Sequence, residues 1–84
     1  MEHLELFKHN SSEELIETYN RNVQIGSIAV YAQAIMLVAL RRVIKERFGV
    51  SPITIEDNMI VSLTGKVMIK DGKLFYTSDG QEVF

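Results

Sequence analysis

Hydrophobic residues change their spacing midway along this chain of 84 residues. Across 15–48 they recur at intervals of three and four, which is the period of an α-helix. Across 59–69 they alternate with other residues, as in a β-strand. The sequence therefore predicts a single α+β domain, in which an N-terminal helix over about 11–48 packs on a C-terminal antiparallel β-meander over about 53–84.

The helical segment has a capped start and two weak points. Ser11 followed by Glu14 is a capping-box pattern, in which each side chain bonds the backbone N–H of the other residue, and Ser12 is a rival cap. Asn20–Asn22 is the first weak point, because asparagine side chains compete for backbone hydrogen bonds. Gly26–Ser27 is the second. One kinked helix and a short helix joined to a long one both remain open, and two pieces are slightly favoured.

The most strongly indicated helix covers about 23–48. It contains no proline, and Gly49 follows it as the kind of residue that commonly ends a helix. Four cations occupy its last turns, where they complement the helix dipole. They are Arg41, Arg42, Lys45 and Arg47.

Turn-forming residues divide the C-terminal half into strands. Asp71-Gly72 lies between two apolar runs and is a strong hairpin signal. Gly65 predicts a bulge, a bend or a turn. The segment around Ile53 and Ile55 is either a short strand or a helical turn. Residues 82–84 are expected to add an edge strand.

The first half of the long helix is apolar on two faces. One stripe, in line with Gln33, should pack on the sheet: Val30, Leu37, Leu40, Ile44 and Phe48. A second face consists of Ile28, Ala32, Ile35, Val38 and Ala39. A helix that is apolar all round must be covered all round, and a chain this small has little with which to do so. Either the short first helix covers the second face or a second copy of the chain does, and the sequence favours a homo-oligomer.

Composition narrows the classes of function. The absence of cysteine excludes disulfides and thiolate metal sites and suits a cytoplasmic protein. His3 and His9 match no common zinc spacing, so neither a metal nor a cofactor is expected. The net charge of −2 makes nucleic acid an unfavourable partner. The longest apolar run, 28–40, is shorter than the roughly 20 residues of a membrane span, which predicts a buried helix and no membrane partner.

Polar residues on or beside the apolar helix are the candidate ligand contacts. Gln33 lies on the core stripe, where a structural hydrogen bond is favoured over a ligand contact. An arginine beside a kink with free backbone N–H groups could hold an anion, and so could the basic cluster, although a solvated helix end is the commoner explanation of such a cluster. The candidate ligand-binding residues are Arg21, Asn22, Gln24, Ser27, Tyr31, Gln33, Arg41 and Arg42.

No phosphate-binding loop, nucleophile elbow or nucleophile with an evident base is present in the sequence, so an enzyme is not expected. The first hypothesis is a homo-oligomeric binding module with a site between subunits, for which a small anion such as a nucleotide is a candidate ligand. The alternative is a protein-binding inhibitor or adaptor of the kind found in phage and mobile elements, and the third is a small DNA-binding regulator. An enclosed polar cavity at an interface would favour the first, and an exposed apolar patch or a free strand edge the second.

Overall fold

The computed structural model describes residues 3–26, 31–57 and 60–84, in which helices precede strands. The helices are α1 (His3–His9), α2 (Ser12–Ile25) and α3 (Tyr31–Phe48). The strands are β1 (Ile53–Ile55), β2 (Val61–Leu63), β3 (Val67–Lys70) and β4 (Lys73–Tyr76). The predicted α+β arrangement, with antiparallel strands following the helices, is confirmed.

The start of α2 carries the predicted capping box. The Oγ of Ser11 accepts a hydrogen bond from the N–H of Glu14 at 3.1 Å. The Oε1 of Glu14 accepts one from the N–H of Ser11 at 2.7 Å. These two bonds satisfy backbone donors that no helical carbonyl can reach.

The helical segment is interrupted at Gly26 and continues unbroken through Asn20–Asn22. Gly26 has a φ of 91°, which glycine adopts without steric penalty, and its N–H bonds the carbonyl of Asn22 at 3.1 Å. The predicted division into two pieces is therefore confirmed, at the second weak point. The helix expected over 23–48 is corrected, because 23–25 form the last turn of α2 and 27–30 lie outside the described residues.

The strands pair with their neighbours in sequence and form two antiparallel sheets, β1 with β2 and β3 with β4. Between β3 and β4, Asp71 has a φ of 54° and Gly72 a φ of 78°. Two successive residues with positive φ in a two-residue loop define the type I′ turn that the Asp-Gly pair predicts. A bridge between Phe75 and Glu82 adds the C-terminal segment to the free side of β4, in agreement with the expected edge strand.

The core lies between the helices and both sheets. Leu37, Leu40 and Ile44 of the predicted stripe are buried, and they pack with side chains from α1, α2 and both sheets. Phe48 is half-buried at the edge of this core, whereas Val30 falls outside the described residues.

Two residues of α2 attach the helix to the beginning of β3. The buried Tyr19 hydroxyl donates to the carbonyl of Gly65 at 2.7 Å and accepts from the N–H groups of Thr64 at 3.3 Å and Gly65 at 3.2 Å. The side-chain amide of Asn20 donates to the carbonyl of Val67 and accepts from its N–H, both at 2.8 Å. Asn20 thus bonds a strand edge instead of competing for its own helix backbone, which explains why the helix continues through it.

Candidate functional site

Two of the candidate residues bond each other inside the protein. Asn22 is 8% exposed, and its Nδ2 donates to the carbonyl of Thr18 at 2.9 Å. Its Oδ1 accepts a hydrogen bond from Nε2 of Gln33 at 3.0 Å, which joins α2 to α3. The side-chain oxygen of Asn22 therefore has a partner within the chain. Gln33 makes the structural hydrogen bond that the sequence favoured over a ligand contact.

The other candidates around the helix junction point to separate partners. Arg21 lies 4.0 Å from Glu17, and both side chains are exposed. Gln24 accepts a hydrogen bond from Nζ of Lys66 at 3.0 Å. Ser27 lies outside the described residues. Since α2 is unbroken at Asn20–Asn22, the fold provides no kink with free N–H groups beside Arg21.

The basic cluster on α3 divides into paired and unpaired cations. The guanidinium of Arg42 lies 3.7 Å from the carboxylate of Glu46. Arg47 donates to the carbonyl of Lys8 at 2.9 Å and so fastens α3 to α1. Among the residues that the structure describes, no carboxylate forms an ion pair with Arg41 or Lys45. These two cations therefore remain available to an anionic partner.

A row of large side chains runs along the solvent side of α3. Tyr31 is 81% exposed, and Ile35 and Val38 are each 43% exposed. With Arg42, these residues are spaced four, three and four apart, which is the repeat of a helix–helix contact seam. We call Tyr31, Ile35, Val38 and Arg42 the outer row. It includes part of the second apolar face, and the described part of the chain leaves it uncovered.

An open groove of about 460 Å³ runs beside the outer row, between α3 and α1. Its apolar lining includes Leu4 of α1 and Ile35, Val38 and Ala39 of α3. Its charged lining consists of Arg41, Arg42, Lys45 and Glu46. This helical groove is apolar along its floor and mainly cationic at one end.

A second open groove of about 350 Å³ lies between the C-terminal end of α3 and β1. Arg41 and Lys45 line it from the helix, 49–51 from the connecting loop and Ile53–Ile55 from the strand. Phe84 lines it from the C-terminal segment. We call it the strand groove. Arg41 and Lys45 therefore lie between the two grooves and line both.

The sequence-based candidates include Arg41 but omit Lys45 and the edge of β1. Lys45 was recognisable as part of the basic cluster, since it lies one helical turn after Arg41. The edge of β1 carried no side-chain signal, because a strand edge consists of backbone groups whose exposure depends on how the strands pair.

Among the residues in 3–26, 31–57 and 60–84, no three His, Asp or Glu side chains lie close enough together to hold a metal ion. No helix in these same ranges is both long and apolar enough to cross a membrane. Comparisons with known protein families, with curated proteins and with solved structures give no match for this chain.

Proposed function

We propose that this protein is a non-enzymatic binding module that acts as a homodimer, formed by packing the outer rows of two copies against each other. The observation that carries the proposal is the exposed seam of Tyr31, Ile35, Val38 and Arg42 on α3. Apolar side chains that repeat at this spacing are stabilised when a second helix covers them. A domain of 84 residues gains core volume by such an association.

The outer row is complementary to itself when the two helices run antiparallel. With a two-fold axis between residues 36 and 37, Ile35 of one copy faces Val38 of the other, and Tyr31 faces Arg42. The first pair buries apolar surface on both sides. The second places a guanidinium against an aromatic ring, which is a favourable cation–π contact. Every member of the row therefore meets a chemically suitable partner.

Charge disfavours a parallel arrangement of the two helices. A parallel pair would place Arg42 on Arg42 and Lys45 on Lys45, and like charges in contact are destabilising. In the antiparallel pair, the Arg42 of one copy is opposite the Tyr31 of the other. The two Arg42 residues are then about 16 Å apart along the helices, at about 1.5 Å per residue.

The two ends of this interface are where a small anion would bind. Each end combines the ring of Tyr31 from one copy with Arg42 and Lys45 from the other. An aromatic face next to two cations is suited to a nucleotide, because the base can stack on the ring while the phosphate accepts charge-assisted hydrogen bonds. Of the sequence-based candidates, this arrangement retains Tyr31 and Arg42 as ligand contacts of the proposed function, and it adds Lys45.

Cysteine cross-linking tests the dimer and its direction together. The chain has no cysteine of its own, so Tyr31→Cys and Arg42→Cys introduce single thiols. A disulfide needs Cα atoms within about 7 Å, so a mixture of the two variants should form the mixed disulfide while neither variant alone links to itself. Self-linked Tyr31→Cys or Arg42→Cys without the mixed product would refute the antiparallel interface.

A charge placed in the seam tests whether the outer row holds the dimer. Ile35→Glu should give a monomer by sedimentation equilibrium at micromolar concentration, since it buries an unpaired carboxylate in the interface. Met68→Glu is the matched control, because Met68 is 41% exposed on β3 and lies outside the outer row. A wild-type protein that sediments as a monomer would refute the proposal.

A further inference from the structure

The strand groove has an unpaired strand edge as one of its walls. In the β1–β2 ladder, Thr54 is opposite Ser62, and the N–H of Glu56 bonds the carbonyl of Ile60 at 2.9 Å. Antiparallel partners alternate between bonded and non-bonded pairs, so the backbone groups of Thr54 face β2 while those of Ile53 and Ile55 face the other way. The outer edge of β1 therefore faces the strand groove, which the same residues line.

The loop before β1 satisfies the N–H of Ile53 and leaves the backbone groups of Ile55 open. The N–H of Ile53 bonds the Oγ of Ser51 at 3.1 Å, and Ile53 as a whole is buried, so this residue offers no group to a partner. Ile55 is half-buried, and within the described part of the chain no hydrogen bond joins another residue to its N–H or its carbonyl. One residue with an open donor and an open acceptor on the same edge is the unit that an added antiparallel strand pairs with.

The opposite wall of the strand groove is cationic. Arg41 is half-buried and Lys45 exposed, and both lack an ion-pair partner among the described residues. They are one helical turn apart, which separates their Cβ atoms by about 5–6 Å. Side chains at alternate positions of an extended peptide are about 6.6 Å apart on one face. Two acidic residues with one residue between them therefore match the spacing of these two cations.

We propose that the strand groove binds an extended acidic segment of a partner protein, which adds a strand to the outer edge of β1. Its backbone bonds the open N–H and carbonyl of Ile55, and its alternate carboxylates bond Arg41 and Lys45. The intervening side chains point away from these cations, along the wall that Phe84 provides. The outer row that forms the proposed dimer contact is not part of the strand groove, and Lys45 is the residue that the strand groove shares with the ends of that contact.

A displayed library of random nonapeptides, selected on the full chain, tests the proposal and requires no identified partner. We expect enrichment of peptides that carry Asp or Glu at alternate positions. A synthetic peptide from the enriched set should bind at least tenfold more weakly to Arg41→Gln and to Lys45→Gln, because each change removes charge-assisted hydrogen bonds. Arg21→Gln is the matched control: it removes the same charge from an exposed position on α2, outside both the strand groove and the proposed dimer contact, and should leave the affinity within about twofold.

Amide hydrogen exchange identifies the strand edge directly. The N–H of Ile55 should exchange rapidly in the free protein and be protected when the peptide is bound, whereas the N–H of Thr54 should be protected in both states. The same measurement on Ile35→Glu separates this site from the dimer, since peptide binding should persist in the monomer. Failure to enrich acidic peptides, an equal loss of affinity in Arg21→Gln, or an Ile55 N–H that the peptide leaves unprotected would each overturn the proposal.

Discussion

Helix propensity and tertiary hydrogen bonding predict opposite effects on stability when Asn20 is replaced by alanine. Alanine has the higher helix propensity, so a helix considered alone should gain about 0.5 kcal/mol from the change. In the folded protein, however, the Asn20 side chain makes two hydrogen bonds of 2.8 Å to the backbone of Val67. We therefore expect Asn20→Ala to destabilise the protein.

The loss of stability in Asn20→Ala can be worked out from the polar groups that lose their hydrogen-bond partners. Each net hydrogen bond contributes about 1 kcal/mol, and leaving a buried polar group unpaired costs about 1–3 kcal/mol. Val67 is fully buried while Asn20 is half-buried, so water can replace part of what the side chain provided. After the gain in helix propensity is subtracted, the free energy of unfolding should fall by about 1.5–2.5 kcal/mol, and the Tm by about 10 °C.

Urea denaturation followed by far-UV circular dichroism measures this change, with all variants at the same protein concentration because a dimer would make stability concentration-dependent. Arg21→Ala is the control for helix propensity, since Arg21 is exposed and its contact to Glu17 is 4.0 Å long. Its effect should stay within about 0.5 kcal/mol. Asn20→Asp should be at least as destabilising as Asn20→Ala, because it places a carboxylate oxygen against the carbonyl of Val67. Stability equal to or above that of the wild type in Asn20→Ala would refute the reasoning.

Three further predictions concern the hairpin, the tyrosine and the basic cluster. Gly72→Val should lower the free energy of unfolding by about 1–2 kcal/mol, because a β-branched residue fits poorly at a φ of 78°. Gly65→Ala is its control and should be nearly neutral in a melting experiment, because the added Cβ would meet Tyr76 at an ordinary 3.8 Å. Tyr19→Phe should cost about 1–3 kcal/mol in chemical denaturation, since it leaves the carbonyl of Gly65 without its 2.7 Å donor. Arg42→Gln should lower the Tm of the unliganded protein by only a few degrees, since it removes one exposed cation–π contact at each end of the proposed dimer, and it should abolish any rise in Tm that a screened nucleotide gives the wild type; a nucleotide response that survives the change would contradict the proposed anion site.

Local signals in the sequence sufficed for the elements whose ends depend on nearby residues. The capping box at Ser11 and the Asp71-Gly72 turn each form within a few residues of the chain, so the local order of residues alone identifies them. The weak point at Asn20–Asn22 is different. Asparagine weakens a helix when its side chain competes for the helix backbone, and Asn20 instead bonds the backbone of Val67, which is distant in the sequence. Asn22 donates to the carbonyl of Thr18 in its own helix, and its side-chain oxygen accepts a hydrogen bond from Gln33 of α3.

The candidate site was predictable only in part, for the same reason. The outer row and the basic cluster are periodic along one helix, so the pattern of hydrophobic and charged residues shows both. That Asn22 and Gln33 bond each other could not be read from either residue, because it depends on how α2 and α3 cross. The strand groove could not be anticipated either, because it requires α3, β1 and the C-terminal segment to come together.

The sequence by itself determined that helices precede strands, the cap and turn residues, and the presence of two apolar faces on the long helix, whereas it did not indicate α1. These properties depend on spacing along the chain, which is fixed by covalent geometry. Tertiary structure decided which polar groups are satisfied within the chain and which remain available. A hydrogen bond or an open strand edge depends on which distant backbone lies alongside it, and packing alone determines that. Arg41 and Lys45, which pair with no carboxylate of 3–26, 31–57 or 60–84, lie beside the outer edge of β1, and no segment of the sequence contains this arrangement by itself.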